Sequence, residues 1–299
     1  MTTENTPPVC DYEGSTYQTE FWDKGERDYE DKAEAVALKR LLPPRGDLLL
    51  ELGAGAGRNT PRYEGYQRIV LLDYSTTQLQ QARARLGNSD RYVYVAADVY
   101  RLPFVDGLFD GATLIRVLHH LADGQAALNQ VRRVMRPGGT FILEFANKKN
   151  VKAIARYLLR RQTWSPFSPE PIEFVELNYN FHPATTRAWL KKAGFAIERQ
   201  LTVSHFRIWM LKRLLPTGLL VGLDSLAQLT GDLWQFSPSV FVKNRAVGEG
   251  TVAAPGTFFK CPKCGGMDLA EEDAGLTCGG CGARWPKEGG IYNFKEAGA

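Results

Sequence analysis

The chain has 299 residues, of which 44% are hydrophobic and 23% charged, and its formal net charge is +4. That is the composition of an ordinary globular protein, and the length suffices for one large α/β domain plus a small module. The opening "MTTENTPPVCDYEGSTYQ" has no basic n-region or apolar h-region, and no window reaches the roughly 18 uncharged apolar residues of a membrane span, so a secretory signal and a spanning helix are not expected and the expected location is cytoplasmic.

The charge is unevenly spread. Residues 1–40 hold ten acids against five bases, whereas 148–161 hold six bases (Lys148, Lys149, Lys152, Arg156, Arg160, Arg161) and no acid. A second basic zone runs from Arg187 to Arg213 with Glu198 as its one acid. This asymmetry points to an anionic partner or to solvated helix faces.

Residues 1–27 read as a loosely structured arm carrying Tyr12, Tyr17, Phe21 and Trp22. Ala33, Val36, Ala37 and Leu41 recur at helical spacing, and Pro43 and Pro44 end that helix. "DLLLEL" is a buried strand, followed by a short helix near Pro61 that Asn59 or Thr60 can cap. "RIVLLD" is a second strand, "TTQLQQARARLG" a helix stopped at Gly87, and "YVYVAAD" a third strand. "FDGATLIRV" is a fourth strand and "GQAALNQVRRVMR" a helix, then "PGG" a turn and "TFILEF" a fifth strand. Beyond residue 150, "VKAIARYLLRRQ" and "TTRAWLKKAGF" are helices, while "AIERQLTVSHF" and "SPSVFVKNRAV" are late strands. Apolar strands alternating with helices predict a Rossmann-like, mostly parallel sheet of seven strands covered on both faces. The expected division is an arm and helix (1–44), a main domain (45–247) with an insert or lid (148–236), a linker (248–256) and a C-terminal module (257–299).

The stretch "LLLELGAGAGRNT" places Gly53, Gly55 and Gly57 directly after the first strand, where ligands bind in open parallel sheets. A dinucleotide fingerprint needs its third glycine where Arg58 stands, and no Gly-Lys-Ser/Thr follows for a phosphate loop. Glu51 repels a diphosphate but suits a cationic ligand such as an ammonium or a sulfonium. Asp73 ends the second strand, where an acid accepts hydrogen bonds from ribose hydroxyls, and Asp98 ends the third.

"ELGAGAGRN", "LLDYS", "AADVYRLPF", "FDGATLIRVLHHL" and "VRRVMRPGGTFIL" resemble, in order and spacing, the successive motifs of class I S-adenosylmethionine-dependent methyltransferases. Within that class they are most similar to the branch containing ubiquinone/menaquinone-biosynthesis methyltransferases. The resemblance covers roughly residues 45–145 well and the late strands more loosely; the short helix at "PRYEGY" departs from it. It implies that Glu51, Gly53, Ala54, Gly55 and Gly57 face the methionine part and ribose of S-adenosylmethionine. It further implies that Asp73 binds the ribose, Tyr74 packs near the adenine, Asp98 and Val99 meet the adenine edge, and Arg116 lines the route to the acceptor.

An acceptor that holds a proton needs a base, and His119 and His120 in "RVLHHL" are the candidates; the alternative is that they only hydrogen-bond locally. The insert, aromatic, apolar and basic, suits a small-molecule or lipid-like acceptor at a membrane surface, or a plain hydrophobic lid. Cys261, Cys264, Cys278 and Cys281 form C-x2-C-x13-C-x2-C, a structural zinc ribbon with iron as the alternative metal. Residues 257–299 carry five bases and six acids, so a protein partner or a stabilising role fits that module better than nucleic acid. An RNA or protein acceptor, and a non-catalytic cofactor-binding adaptor, are the competing readings.

Overall fold

The computed structural model describes residues 7–11, 13–14 and 27–295; Tyr12, Tyr17, Phe21 and Trp22 lie outside the described residues. Helix α1 (Asp28–Leu41) leads into β1 (Gly46–Leu52), followed by β2 (Tyr66–Asp73), α2 (Thr76–Leu86), β3 (Tyr92–Ala96) and β4 (Phe109–Leu114). Then come α3 (Gly124–Val134), β5 (Met135–Ala146), α4 (Val151–Leu158), a small hairpin of β6 (Ile172–Val175) and β7 (Asn178–Asn180), α5 (Pro183–Lys192) and β8 (Phe195–Val203). After α6 (Trp209–Leu214) and α7 (Thr217–Ala227), β9 (Ser239–Ala246) closes the expected set of seven strands in the order β3-β2-β1-β4-β5-β9-β8. Only β9 runs against its neighbours. The "PGG" segment lies inside β5 and not in a turn before it: Met135 already pairs with Phe109, and the register shift between Phe109 and Gly111 takes up the left-handed Gly138.

Local signals explain the helix starts. Ser75 caps α2 by accepting from the Gln78 amide, Asp123 caps α3 through Ala126, and Asn150 caps α4 through Ala153. The apolar runs of β1, β2 and β4 are buried on both faces, as helix-covered parallel strands must be. The parallel registers align the carboxyl ends of β3, β2, β1, β4 and β5, and β8 ends beside them, where Val203 and Ala146 both flank Ser239.

The sheet does not stop at β3. The C-terminal module forms β10 (Leu269–Glu272), β11 (Gly275–Cys278), β12 (Arg284–Glu288) and β13 (Ile291–Asn293), and β13 pairs in parallel with β3, giving eleven strands. Phe294 then donates its amide to the Ala96 carbonyl at 2.7 Å. Phe104 packs on Phe258 and Phe259, and Phe259 on Phe294, while Cys261, Leu276, Cys278 and Trp285 join the main core. Residues 248–256 run along the body, with the Ala253 amide on the Gly107 carbonyl. Removing the module unpairs β3 and uncovers these aromatics, and each large side chain so uncovered forfeits roughly 1.5–3 kcal/mol. A chain truncated after Val247 is therefore expected to aggregate or to lose its cooperative melting transition in calorimetry. A soluble truncated chain with unchanged melting temperature would contradict this account.

Candidate functional site

At the carboxyl ends of β1, β2 and β4 lies a cleft of two lobes, which share Leu52, Gly53, Gly55, Gln78 and Arg116. The larger lobe runs over Asp73, Tyr74, Ala97 and Val99 to His120; the smaller holds Glu51, Ala54 and Arg58.

The glycines have distinct tasks. Gly53 is left-handed (φ 65°), and a Cβ there would sit 2.1 Å from Val117 Cγ2. Gly57 (φ 72°) does not line the cleft but lies against α2, its Cβ position 3.3 Å from that of Ala82. It supplies the close approach to a helix that the missing glycine at Arg58 provides in dinucleotide sites.

Each strand-end acid is anchored. Asp73 accepts from the Gly55 amide at 2.8 Å and the Ser75 amide at 2.9 Å, fixing the glycine loop over β2, and burial raises its carboxyl above the usual range. Asp98 accepts from the Tyr100 amide at 2.8 Å and caps the turn that brings Val99 into the cleft wall; burial raises it too. Glu51 is buried and accepts from Thr60 Oγ1 at 2.6 Å; burial pushes it up to about 7 against the lowering effect of that bond.

Arg116 adopts a left-handed backbone (φ 60°), which for a non-glycine residue is strained. Two buried carboxylates hold it. The Glu144 carboxylate accepts its amide at 2.9 Å, and Glu34 on α1 receives its Nε at 2.6 Å and its Nη2. Glu34 also takes Arg58 Nη2 at 2.9 Å, and its side chain is wholly shielded from solvent. Burial pushes its carboxyl up, but the Arg116 and Arg58 guanidiniums outweigh burial and hold it at about 2. Sequence reading missed Glu34, as it missed Gln78 in both lobes and Val9 and Cys10, which reach the larger lobe through the Val9–Leu121 bridge. The capping acid Glu13 was missed as well; it receives the Thr76 and Thr77 amides at the start of α2.

His120 lines the larger lobe, with Nδ1 3.1 Å from the Leu177 carbonyl, while the His119 ring is tilted at 45° against it, centroids 4.0 Å apart, outside both lobes. Burial lowers both imidazoles, His119 well below the ordinary value, so both are neutral near pH 7. In the C-terminal module the four cysteine sulfurs lie within 4.8 Å of one another, with Cys261–Cys281 at 3.8 Å and Cys264–Cys278 at 3.6 Å. A tetrahedral ion with about 2.3 Å bonds to sulfur needs separations of about 3.8 Å, so the four thiols fit one.

A methyltransferase-domain family model matches residues 50–143. A demethylmenaquinone methyltransferase of Mycolicibacterium vanbaalenii is 32% identical over 60% of this chain and 72% of the relative, and one from Clavibacter sepedonicus is 29% identical over 56% and 73%. A 27-O-demethylrifamycin SV methyltransferase of Amycolatopsis mediterranei is 31% identical over 41% of this chain and 48% of its own length. Among solved structures, a complex between the Haloferax volcanii Trm112 methyltransferase activator and a methyltransferase matches with TM-score 0.56 and 18% identity over 78% of this chain and 96% of that one. The chain belongs to the S-adenosylmethionine-dependent methyltransferases and has their α/β fold.

Because the folded-state value of Glu51 is raised, its ionisation opposes folding, and its contribution to stability falls as the pH rises through about 7. Glu51→Gln should match the parent protein at pH 4 and exceed its stability by roughly 1–3 kcal/mol at pH 8 in urea titrations. Equal stability at both pH values would rule out a desolvated carboxyl here.

Proposed function

We propose that this enzyme methylates a small, lipid-like acceptor of the quinone type at an anionic membrane surface, on the cytoplasmic side. S-adenosylmethionine, when bound, supplies a methyl group on a positively charged sulfur, ready for in-line displacement. The chain's own residues do the rest. Glu51 faces the cationic methionine part, and loss of its proton strengthens that attraction. Asp73 accepts from the ribose hydroxyls, and Gly53, Ala54 and Gly55 let the backbone approach. Tyr74, Val99 and Asp98 enclose the adenine. Arg116, held by Glu34 and Glu144, walls the cleft toward the acceptor, and His120 borders it, with His119 behind it outside the cleft. Correct positioning can contribute roughly 7–11 kcal/mol.

The observation that carries the acceptor reading is the surface around the carboxyl ends of β5 and β8. Of the twenty large hydrophobic residues exposed among the described residues, seventeen lie between Val151 and Phe236. Leu158 and Leu159 on and after α4, Trp209, Met210 and Leu214 on α6, Leu223 and Leu226 on α7, and Leu233 and Trp234 beyond it are all exposed. Lys152, Arg156, Arg160, Arg161 and Arg213 are interspersed with them, and the Val151 amide bonded to the Phe236 carbonyl joins the two segments. Exposed apolar side chains with basic neighbours suit the interface of an anionic bilayer, each base adding about 1 kcal/mol. No described helix is long and apolar enough to cross a membrane. The relatives named as demethylmenaquinone methyltransferases support an acceptor of this class.

The test is methyl transfer from labelled S-adenosylmethionine to lipid extract, RNA and protein fractions, with co-sedimentation on vesicles containing phosphatidylglycerol. Label in the lipid fraction and salt-sensitive sedimentation are expected. Label in RNA or protein, or no vesicle binding at low salt, would overturn the acceptor reading.

We further propose that Cys261, Cys264, Cys278 and Cys281 hold one structural zinc ion, and that the 257–299 module stabilises the cofactor cleft from within the same chain. The support is its position: Lys295 lies 5.2 Å over the ring of Tyr74 and 3.4 Å from Glu13, whose carboxylate caps α2 at the rim of the larger lobe. Chelation is expected to lower both the melting temperature and the affinity for S-adenosylhomocysteine, and metal analysis should give one zinc per chain. Unchanged affinity after complete metal removal would separate the module from the cleft.

A further inference from the structure

A segment near the start of the chain spans the larger lobe from one side to the other. Val9 forms an antiparallel bridge with Leu121, past the end of β4, and packs against the main core. Val9 and Cys10 line the lobe together with Gly53, Gly55 and Asp73. A few residues on, the Glu13 carboxylate receives the Thr76 amide at 2.9 Å and the Thr77 amide at 3.0 Å, past the end of β2. Gly14 (φ 69°) donates its amide to Thr77 Oγ1 at 3.2 Å. Because β1 lies between β4 and β2, the segment passes the end of β1, where the glycine loop sits.

The two anchors differ in kind. At the Val9 end the contact is apolar, and Leu121 is buried. At the other end it is polar and open to solvent: the Glu13 side chain is 42% accessible, and Lys295 Nζ lies 3.4 Å from it. The α2 amides that Glu13 receives lack partners within the helix, and the helix dipole favours an anion there. Partial burial raises the Glu13 carboxyl, but the Thr77 hydroxyl, the two amides and Lys295 outweigh it and hold it below the ordinary value. The contact is therefore charged near pH 7. Exposed ionic contacts are weak and screened by salt, so this end releases first and Val9 serves as the hinge. Both ends of the contact face the lobe's wall: Lys295 lies over Tyr74, and Asp11, which accepts the Glu13 amide at 2.9 Å, acts electrostatically on Asp73.

We propose that the segment carrying Val9, Cys10, Asp11, Glu13 and Gly14 is a strap that closes over the bound cofactor, hinged at Val9 and latched where Glu13 meets α2 and Lys295. This rests on the cofactor reading of the cleft and goes beyond it. The cofactor enters and the demethylated product leaves when the latch opens, and the closed strap keeps bulk water from the lobe. Glu13 is a positioning residue, acting through the strap. Lys295 gives the C-terminal module a kinetic role, setting how long the strap stays shut, distinct from the stabilising role proposed above.

The probe is tritiated S-adenosylhomocysteine, bound to and chased from the full-length protein in rapid filtration. Glu13→Ala should raise its association and dissociation rates together, each about tenfold, and Lys295→Met should raise both by a smaller factor. A fixed wall would change dissociation alone; that result, or unchanged rates in Glu13→Ala, overturns the proposal. Should Glu13→Ala fail to fold, Lys295→Met decides, and unchanged rates there overturn it. Cys10, the one cysteine outside the four-sulfur cluster, reports on the strap in the unliganded protein. Its alkylation by N-ethylmaleimide, followed by peptide mass mapping, should be slowed by S-adenosylhomocysteine and accelerated in Glu13→Ala. Equal alkylation of the parent protein and Glu13→Ala overturns the proposal. Failure of S-adenosylhomocysteine to bind the parent protein would instead strike the cofactor reading, and the alkylation rates of the unliganded proteins then decide the strap.

Discussion

The site depends on one shielded carboxylate. Glu34 receives hydrogen bonds from Arg58, at the end of the glycine loop, and from Arg116, after the fourth strand, and so ties α1 to both walls of the cleft. Removing one partner of a buried pair leaves an uncompensated charge and typically costs 3–5 kcal/mol. That penalty is why the strained backbone at Arg116 persists: any relaxation would separate its side chain from Glu34 and its amide from Glu144. A carboxylate that must satisfy two guanidiniums in a fixed geometry is thus a positional constraint more than a source of net stability.

A second constraint is the open edge of the sheet. In many α/β domains β3 would be an edge strand with unpaired backbone groups. Here β13 satisfies it, paired with β12 across a turn of left-handed Gly289 and Gly290, and Cys261 and Cys278 of the same module are buried in the main core. The parallel pairing brings Phe294 and Lys295 to the same end of the sheet as Ala96 and Tyr74. Both ends of the chain's described span therefore meet at the rim of the larger lobe, Glu13 from one side and Lys295 from the other.

Much of the cleft was legible in the sequence because its parts sit at strand ends, and strand ends are marked locally. Gly53 and Gly55 follow an apolar run, Asp73 closes the next one, and Val99 follows the third. The same local logic located Pro61 and Gly87 at helix boundaries. Glu34 had no such mark. It lies on a helix face among other acids, and its partners are 24 and 82 residues away. Arg207 looked like one more base in a basic zone, because its burial near Glu34, Glu30 and Glu144 is a property of the folded chain alone.

The sequence by itself determined the alternating strands and helices, the glycine loop with its carboxylates, and the spacing that lets four cysteines meet around one ion. These are short-range matters of hydrophobic period, left-handed backbone and turn length. Tertiary structure alone decided that the C-terminal module would extend the main sheet and not hang beyond a linker, since strand pairing depends on which edge is left open. It also decided which of many similar charges would be buried together. Desolvation turns an ordinary Glu34 into a two-armed clamp between Arg58 and Arg116.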